Sequence, residues 1–375
     1  VDGDPGRVLV LSAPVGEGHV AAARAIATRM RALWPQAEVH EVEGTGRGGP
    51  RRDRFLRRSY AVTMRLAPGL YGLGYDLLVR HPRFAELCKR VAAARLGRAL
   101  APLVEAEHPD LVVSTYPMIS GGLAWLRRHG RLAARTVAVV TDVAVHPFWV
   151  WRDVDETWTL LPASRTQAAG IAPGADVRVA PAAVDPRFRP GDRAGTREAL
   201  GLRRDAFVVL VTGGSLAFGG LGSVVDAVLA GDDGAGQVQA VVLCGRNTRL
   251  KARLDGRGLP AERLTTLGWT DRVPDLLTAA DLVLTTAGGM IATEALAVGT
   301  PVLFAAPIPG HGRAGAQMTA DAGLALVCPR PADVTDAVRR LRADEAEREG
   351  LARHAAEFGR ADLDTELAAL AARMV

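Results

Sequence analysis

Short apolar runs punctuate this chain at intervals that suit strands alternating with helices. In the first half they fall at 7–14, 37–44, 110–115, 136–142, 157–160 and 177–181. In the second they fall at 207–212, 240–244, 264–268, 282–284, 301–306 and 324–328. Most are rich in Val, Leu and Ala without polar interruption, which predicts parallel strands covered on both faces. Between them lie alanine-rich or amphipathic stretches of helical period, such as His19 to Leu33 and Ile119 to Arg128. A long helical pattern covers Phe55 to Glu107, and the chain reads as helix from Pro331 to Val375. Strand, turn, helix, strand is the rhythm of an open α/β sheet, here repeated in two halves. Pro186 to Gly195, PRFRPGDRAG, reads as the linker between them. The predicted domains are residues 1–188 and 189–375, with the last helix free to pack back on the first domain.

Glycines mark the turns where chemistry would sit. Asp281 to Gly312, DLVLTTAGGMIATEALAVGTPVLFAAPIPGHG, runs strand, glycine turn, helix with Glu294, strand, then a Pro/Gly/His loop. Glycine lets a ligand approach the backbone, and the helix N-terminus offers N–H groups and a positive dipole end to an anion. Half of a nucleotide-diphosphate site is the expectation. The first strand likewise enters Val15-Gly16-Glu17-Gly18-His19 and a helix. The third glycine of the dinucleotide fingerprint is missing, and so is the Gly-Lys-Ser/Thr of a P-loop. What remains is a histidine in the first turn of a helix, where the dipole disfavours imidazolium and suits a general base. A histidine that merely caps or packs fits this motif equally. Asp142 stands at the end of its strand, where open α/β sheets hold ligands, and His146, Pro147, Phe148, Trp149 and Trp151 follow.

Composition narrows the class. The chain has 375 residues, 48% of them hydrophobic and 23% charged, as a globular protein of two domains would. All but two of its basic residues are arginine, Lys89 and Lys251 being the exceptions, which suggests a GC-rich genome. Cys88, Cys244 and Cys328 lack metal-ligand spacing and read as buried free thiols, so a reducing cytoplasm is expected. No signal peptide and no run long enough to span a bilayer is evident, so any membrane contact would be peripheral. Charge is uneven: twelve Arg or Lys between Arg51 and Leu100 face only Asp53, Asp76 and Glu86. There Arg57, Arg58 and Arg65 mix with Tyr60, Leu66, Leu70, Tyr71, Leu73, Tyr75, Leu77 and Leu78. Apolar, aromatic and basic together describe an interfacial helix facing anionic lipid. A helical insert packed on its own domain fits as well. No nucleic-acid partner is expected.

In order and spacing, VGEGHVAAARAI, TDVAVHPFW, CGRN, GWTDRVPDLLTAADLVLTTAGGMIATEAL and PIPGHG resemble a GT-B glycosyltransferase over nearly the whole chain. The likeness is to the monogalactosyldiacylglycerol synthases and the bacterial processive diacylglycerol glucosyltransferases, and more distantly to the peptidoglycan N-acetylglucosaminyl transferase. It implies two Rossmann-like domains facing across a cleft and a UDP-sugar as donor substrate, with no cofactor. By position it implies that Gly213, Gly214, Ser215, Ala287, Gly288, Gly289 and Met290 meet the diphosphate and that Glu294 holds the ribose. Backbone from Trp269 to Val273 would read the uracil. His19 would be the base, and Asp142, Gly18, His146 and Trp149 would line the acceptor side. No Asp-x-Asp-like carboxylate pair stands in a suitable place, which favours metal independence.

Two departures from that pattern stand out. The lipid enzymes usually carry Gln-Glu after the Pro-Gly of the PIPG loop; here it is His311-Gly312. The basic residue common before the Ala-Gly turn is Thr286, with Arg313, Arg246 and Gln317 as candidates to compensate. The expected activity is inverting sugar transfer to a lipid hydroxyl. A soluble natural-product acceptor, a nucleotide-sugar epimerase and a non-catalytic nucleotide-sugar binder are the alternatives.

Overall fold

The computed structural model describes residues 4–13, 17–44, 68–217, 220–234 and 236–374, with only the backbone of Pro68, Leu70 and Tyr71. Val15, Gly16, the glycine-rich stretch 45–50, the basic stretch 51–65 with Tyr60, and Leu66 fall outside the described residues.

The chain forms two compact units, Val1–Asp185 with Ala361–Val375, and Pro186–Arg360. The first contains β1 (Arg7–Ser12), α1 (Glu17–Leu33), β2 (Glu38–Glu43), α2 (Pro68–Arg80), α3 (Pro82–Glu107) and β3 (Leu111–Ser114). It continues with α4 (Pro117–Arg128), β4 (Arg135–Val139), a 3-10 turn (Pro147–Trp149), β5 (Glu156–Thr159), α5 (Pro162–Ile171) and β6 (Val177–Val179). The six strands are parallel in the order β2-β1-β3-β4-β5-β6, with Val8 opposite both Val39 and Leu111. The chain leaves β1 on one side and returns on the other as β3, so the two strands flank a topological switch point. Leu9, Leu11, Val112, Leu100 and Leu123 make the core between this sheet and the α3/α4 pair. The helical pattern predicted to run to Glu107 is broken at His81, because Pro82 cannot continue the α2 ladder.

The second unit runs α6 (Arg193–Leu200), β7 (Phe207–Thr212), α7 (Leu221–Ala230), β8 (Val238–Leu243), α8 (Thr248–Asp255), β9 (Leu264–Leu267) and α9 (Val273–Ala279). Then come β10 (Leu282–Thr285), α10 (Met290–Val298), β11 (Val302–Ala305), α11 (His311–Asp321), β12 (Ala325–Cys328), α12 (Pro331–Ala343) and α13 (Glu345–Gly359). Its parallel order is β12-β11-β10-β7-β8-β9, with the switch point between β7 and β10. Asp281 ties the amino ends of β7 and β10 together: its carboxylate accepts from Val208 N at 2.8 Å and from Arg197 Nη2 at 2.6 Å. The predicted linker is shorter than expected. Asp192 accepts from Ala194 N and so starts α6 inside the stretch read as loop.

The C-terminal region, read as helical from Pro331 onward, is divided into three helices. Asp344 caps α13, and Asp362 caps α14 (Leu363–Ala372), which belongs to the first unit. There Leu363, Leu367 and Leu370 are buried, Asp364 pairs with Arg29 of α1 at 2.8 Å, and Arg373 reaches Glu156 of β5. Cys244 and Cys328 are buried, and burial pushes both thiols up to about 11. Cys88, expected to be buried too, is only half-buried, because its position on α3 turns it partly toward solvent.

Candidate functional site

In the first unit the ends of β1, β3 and β4 converge on His19, the third residue of α1. Its ring is held from three sides. Thr141, just beyond β4 and buried, places Oγ1 3.0 Å from His19 Nδ1. Thr115, at the end of β3, donates Oγ1–H to the His19 carbonyl at 2.8 Å. The Tyr116 ring stands edge-on at 5.1 Å between centroids, and Trp149 lies at 6.0 Å. Gly18, half-buried, precedes His19 in the first turn, where a small residue keeps the helix start open.

The acceptor-side candidates gather here but not all in the expected manner. Asp142 is half-buried beyond the end of β4, and its charge, together with burial and Asp76, pushes the Tyr75 phenol up to about 12. Burial is the larger cause. His146 uses Nδ1 to accept from Phe148 N at 3.2 Å, capping the 3-10 turn, and its ring lies 5.3 Å from Tyr75. Trp149 is completely buried, so it shapes the surroundings of His19 from behind and offers no face to solvent. The turn itself is staked down by Trp151 Nε1 donating to Phe148 O at 2.6 Å and by Lys89 Nζ donating to Val150 O at 3.0 Å.

In the second unit the loops after β7, β8, β10 and β11 converge beside the switch point. Gly213, Gly214 and Ser215 follow β7; Gly214 has φ +71 and its N–H is held by Thr212 Oγ1 at 3.2 Å. Arg246, after β8, donates its N–H to Ser215 O at 2.9 Å. Gly245 next to it tolerates no side chain: a Cβ there would lie 2.4 Å from Ser215 O. The Arg246 guanidinium stacks over the exposed Trp269 ring at 4.3 Å, a cation–π contact. Val273 begins α9 with no side-chain cap before it.

After β10 the chain passes through Thr286, Ala287 and Gly288 to Gly289, with Thr285 Oγ1 donating to Ala287 O at 2.8 Å and accepting from Ala287 N at 3.1 Å. Gly289 and Gly310 start α10 and α11 in one shared conformation, φ/ψ of 77/−141 and 78/−130, which only glycine enters without strain. Neither start has a side-chain cap, so the first N–H groups are left to other partners. The two starts also lie against each other, since a Cβ on Gly288 would sit 3.5 Å from Gly312 Cα. Met290 is the first residue of α10, and Glu294 stands one turn further along, half-buried. His311 opens α11; Gln317 is exposed on it and donates Nε2–H to Asp321 at 2.8 Å.

Sequence reasoning passed over Thr141, Thr115 and Tyr116 as partners of His19, and Gly245 and Gly310 in the second unit. Thr141 adjoins Asp142 and could have been found by the same strand-end argument. The contact of Thr115 with the His19 carbonyl spans far too much sequence to be read from spacing.

Comparisons with known proteins agree with this geometry. Residues 19–173 match the monogalactosyldiacylglycerol (MGDG) synthase family, and residues 208–366 match the glycosyltransferase family 28 C-terminal domain. The chain is 30% identical over 349 residues to the processive diacylglycerol beta-glucosyltransferase of Bacillus subtilis, covering 90% of this chain and 87% of that one. The Bacillus licheniformis protein of the same name is 28% identical, with the same coverage. Among solved structures, MurG of Acinetobacter baumannii superposes with a TM-score of 0.60 at 17% identity, covering 98% of this chain and all of that one. Anabaena HepE in complex with UDP-glucose gives 0.58 at 14% identity, covering 98% of this chain and 99% of that one. The chain is thus a glycosyltransferase of the GT-B fold, and it belongs to the family of the diacylglycerol glucosyltransferases and monogalactosyldiacylglycerol synthases.

Proposed function

We propose that this protein transfers a sugar from a UDP-sugar to the hydroxyl of a diacylglycerol-type lipid, inverting the anomeric centre without a metal. The observation that carries the reading is the pair of uncapped helix starts at Gly289 and Gly310, side by side at the β7/β10 switch point. Two positive dipole ends and their N–H groups suit a diphosphate, both bound and as the departing group. Gly213, Gly214, Ser215 and Ala287 to Met290 cradle it, Glu294 takes the ribose hydroxyls, and the backbone near Val273 takes the uracil. Arg246, His311 and Gln317 stand nearby for the phosphates and the sugar. A protein of the same fold holds UDP-glucose, which supports this donor class.

In the first unit His19 takes the proton of the acceptor hydroxyl. The oxygen then bonds to the anomeric carbon while the bond from that carbon to the diphosphate oxygen breaks, its electron pair leaving with UDP. Asp142, Gly18 and His146 border the acceptor, with Trp149 behind.

The lipid acceptor draws support from the relatives' names and from the surface of α2 and α3. Leu73 is 65% exposed and Leu87 61%, and Leu77, Phe84 and Val91 are exposed with them. Phe84, Leu87 and Val91 recur at helical spacing along one face of α3, with exposed Arg80, Arg83 and Arg90 close by in sequence. Apolar residues among cations fit an anionic lipid surface. Among the described residues no helix is long and apolar enough to cross a membrane.

The test combines diacylglycerol in anionic vesicles with a panel of nucleotide sugars, reading both thermal shift and product. The matching donor stabilises by about 2.7 kcal/mol at roughly a hundredfold excess over Kd. His19→Ala loses about 10²- to 10⁴-fold in turnover while UDP affinity stays within twofold. Turnover of a water-soluble acceptor with no vesicle binding would overturn the lipid assignment. Equal rates in wild type and His19→Ala would overturn the base.

A further inference from the structure

We infer that Thr141 is a positioning residue for His19, its hydroxyl oxygen accepting from Nδ1–H so that Nε2 is the nitrogen that receives the proton; this rests on His19 being the base. The ring has little freedom. The His19 backbone carbonyl accepts from Thr115 Oγ1 at 2.8 Å, and Thr115 is itself anchored to Leu11 O through its N–H at 3.0 Å. Tyr116 and the fully buried Trp149 flank the imidazole. That leaves Nδ1 directed at Thr141 Oγ1, 3.0 Å away on a side chain only 6% exposed.

A hydroxyl can donate or accept, so this contact permits two arrangements. If Oγ1–H donates to Nδ1, Nε2 holds the ring proton and cannot receive one from an acceptor. If Nδ1–H donates to Oγ1, Nε2 presents its lone pair. Only the second is competent for transfer, and it persists through the reaction. When Nε2 takes the acceptor proton, the imidazolium keeps its Nδ1–H on the same oxygen and nothing rotates. Unlike a carboxylate, the hydroxyl accepts that bond without adding charge to a site that must receive a lipid. The residue named for the acceptor side, Asp142, follows Thr141 directly, so the same strand end delivers both groups.

The experiment measures the His19 tautomer by two-bond ¹H–¹⁵N NMR on histidine-labelled protein, the resonance being assigned by its loss in His19→Gln. The wild type shows the Nδ1–H form. Thr141→Val, nearly the same shape, shifts the population toward Nε2–H. It lowers kcat by about five- to tenfold, the equilibrium weight of one hydrogen bond, while KM for donor and acceptor stays within about twofold. Thr141→Ser keeps the hydroxyl and restores both tautomer and kcat, and it serves as the informative variant if the valine protein does not fold. An unchanged tautomer in Thr141→Val, or a serine variant that fails to restore it, overturns the positioning role. Full turnover in His19→Gln overturns the base reading instead, and the NMR result tells the two failures apart.

Discussion

Glu156 should hold the C-terminal helix onto the first unit, and the strength of that hold can be worked out. Its carboxylate, fully buried on β5, accepts from Arg373 Nε and Nη2, both at 2.9 Å, from Arg135 Nη2 at 2.8 Å and from Trp158 Nε1 at 2.9 Å. Burial alone would raise its pKa. The hydrogen bonds from Arg373, Trp158 and Arg135, with the charge of Arg373, outweigh burial and pull it from 4.5 down to about 2. That difference corresponds to about 3 kcal/mol in favour of the folded, ionised state. Because the folded value is the lower one, this stability is present above about pH 4.5 and lost as pH falls through about 2. Glu156→Gln keeps the shape and removes the charge. Arg135 and Arg373 retain side-chain exposures of 27% and 24%, so water relieves part of the cost of breaking a fully buried pair. A loss of about 2–3 kcal/mol at pH 7 follows, or roughly 5–10 °C in a unit of this size. Tryptophan fluorescence suits the assay, since Trp34, Trp125, Trp149, Trp151 and Trp158 lie in the first unit and only Trp269 in the second. A melting midpoint within 1 °C of wild type, or the same fall in stability between pH 5 and 2 in both proteins, would refute the reasoning.

Other expectations concern the sites themselves. Gly289→Ala forces a side chain into φ 77, ψ −141, at a strain of about 1–3 kcal/mol. The α10 start should shift, and UDP affinity by calorimetry should fall tenfold or more; wild-type affinity would remove this turn from the diphosphate site. Leu87→Asp combined with Phe84→Asp replaces two exposed apolar side chains on α3. Each buries about 1.5–3 kcal/mol of favourable transfer if inserted in lipid, so vesicle co-sedimentation should drop at least tenfold with an unchanged melting midpoint. Undiminished sedimentation would exclude this face.

Local chemistry carried much of the outcome. Continuous apolar runs bounded by glycine dictate parallel strands, because a strand covered on both faces has no solvent side to alternate with. That logic located β1, β7, β10 and the helix starts after β1 and β10 from spacing alone, including His19 in the first turn of α1. Even Asp192, a capping residue misplaced in the linker reading, obeys a local rule. Tertiary structure decided the rest. Strand order, and with it the position of each switch point, depends on which side of β1 or β7 the chain returns to, a choice made by packing across the whole sheet. The contact of His19 with Thr141 and Thr115 joins three strand ends distant in sequence. The docking of α14 joins residues far apart in the chain through Arg29 and Asp364, and through Glu156 and Arg373. Those charges look like ordinary solvated residues in the sequence. They became partners because folding buried Glu156, and a buried carboxylate must find cations.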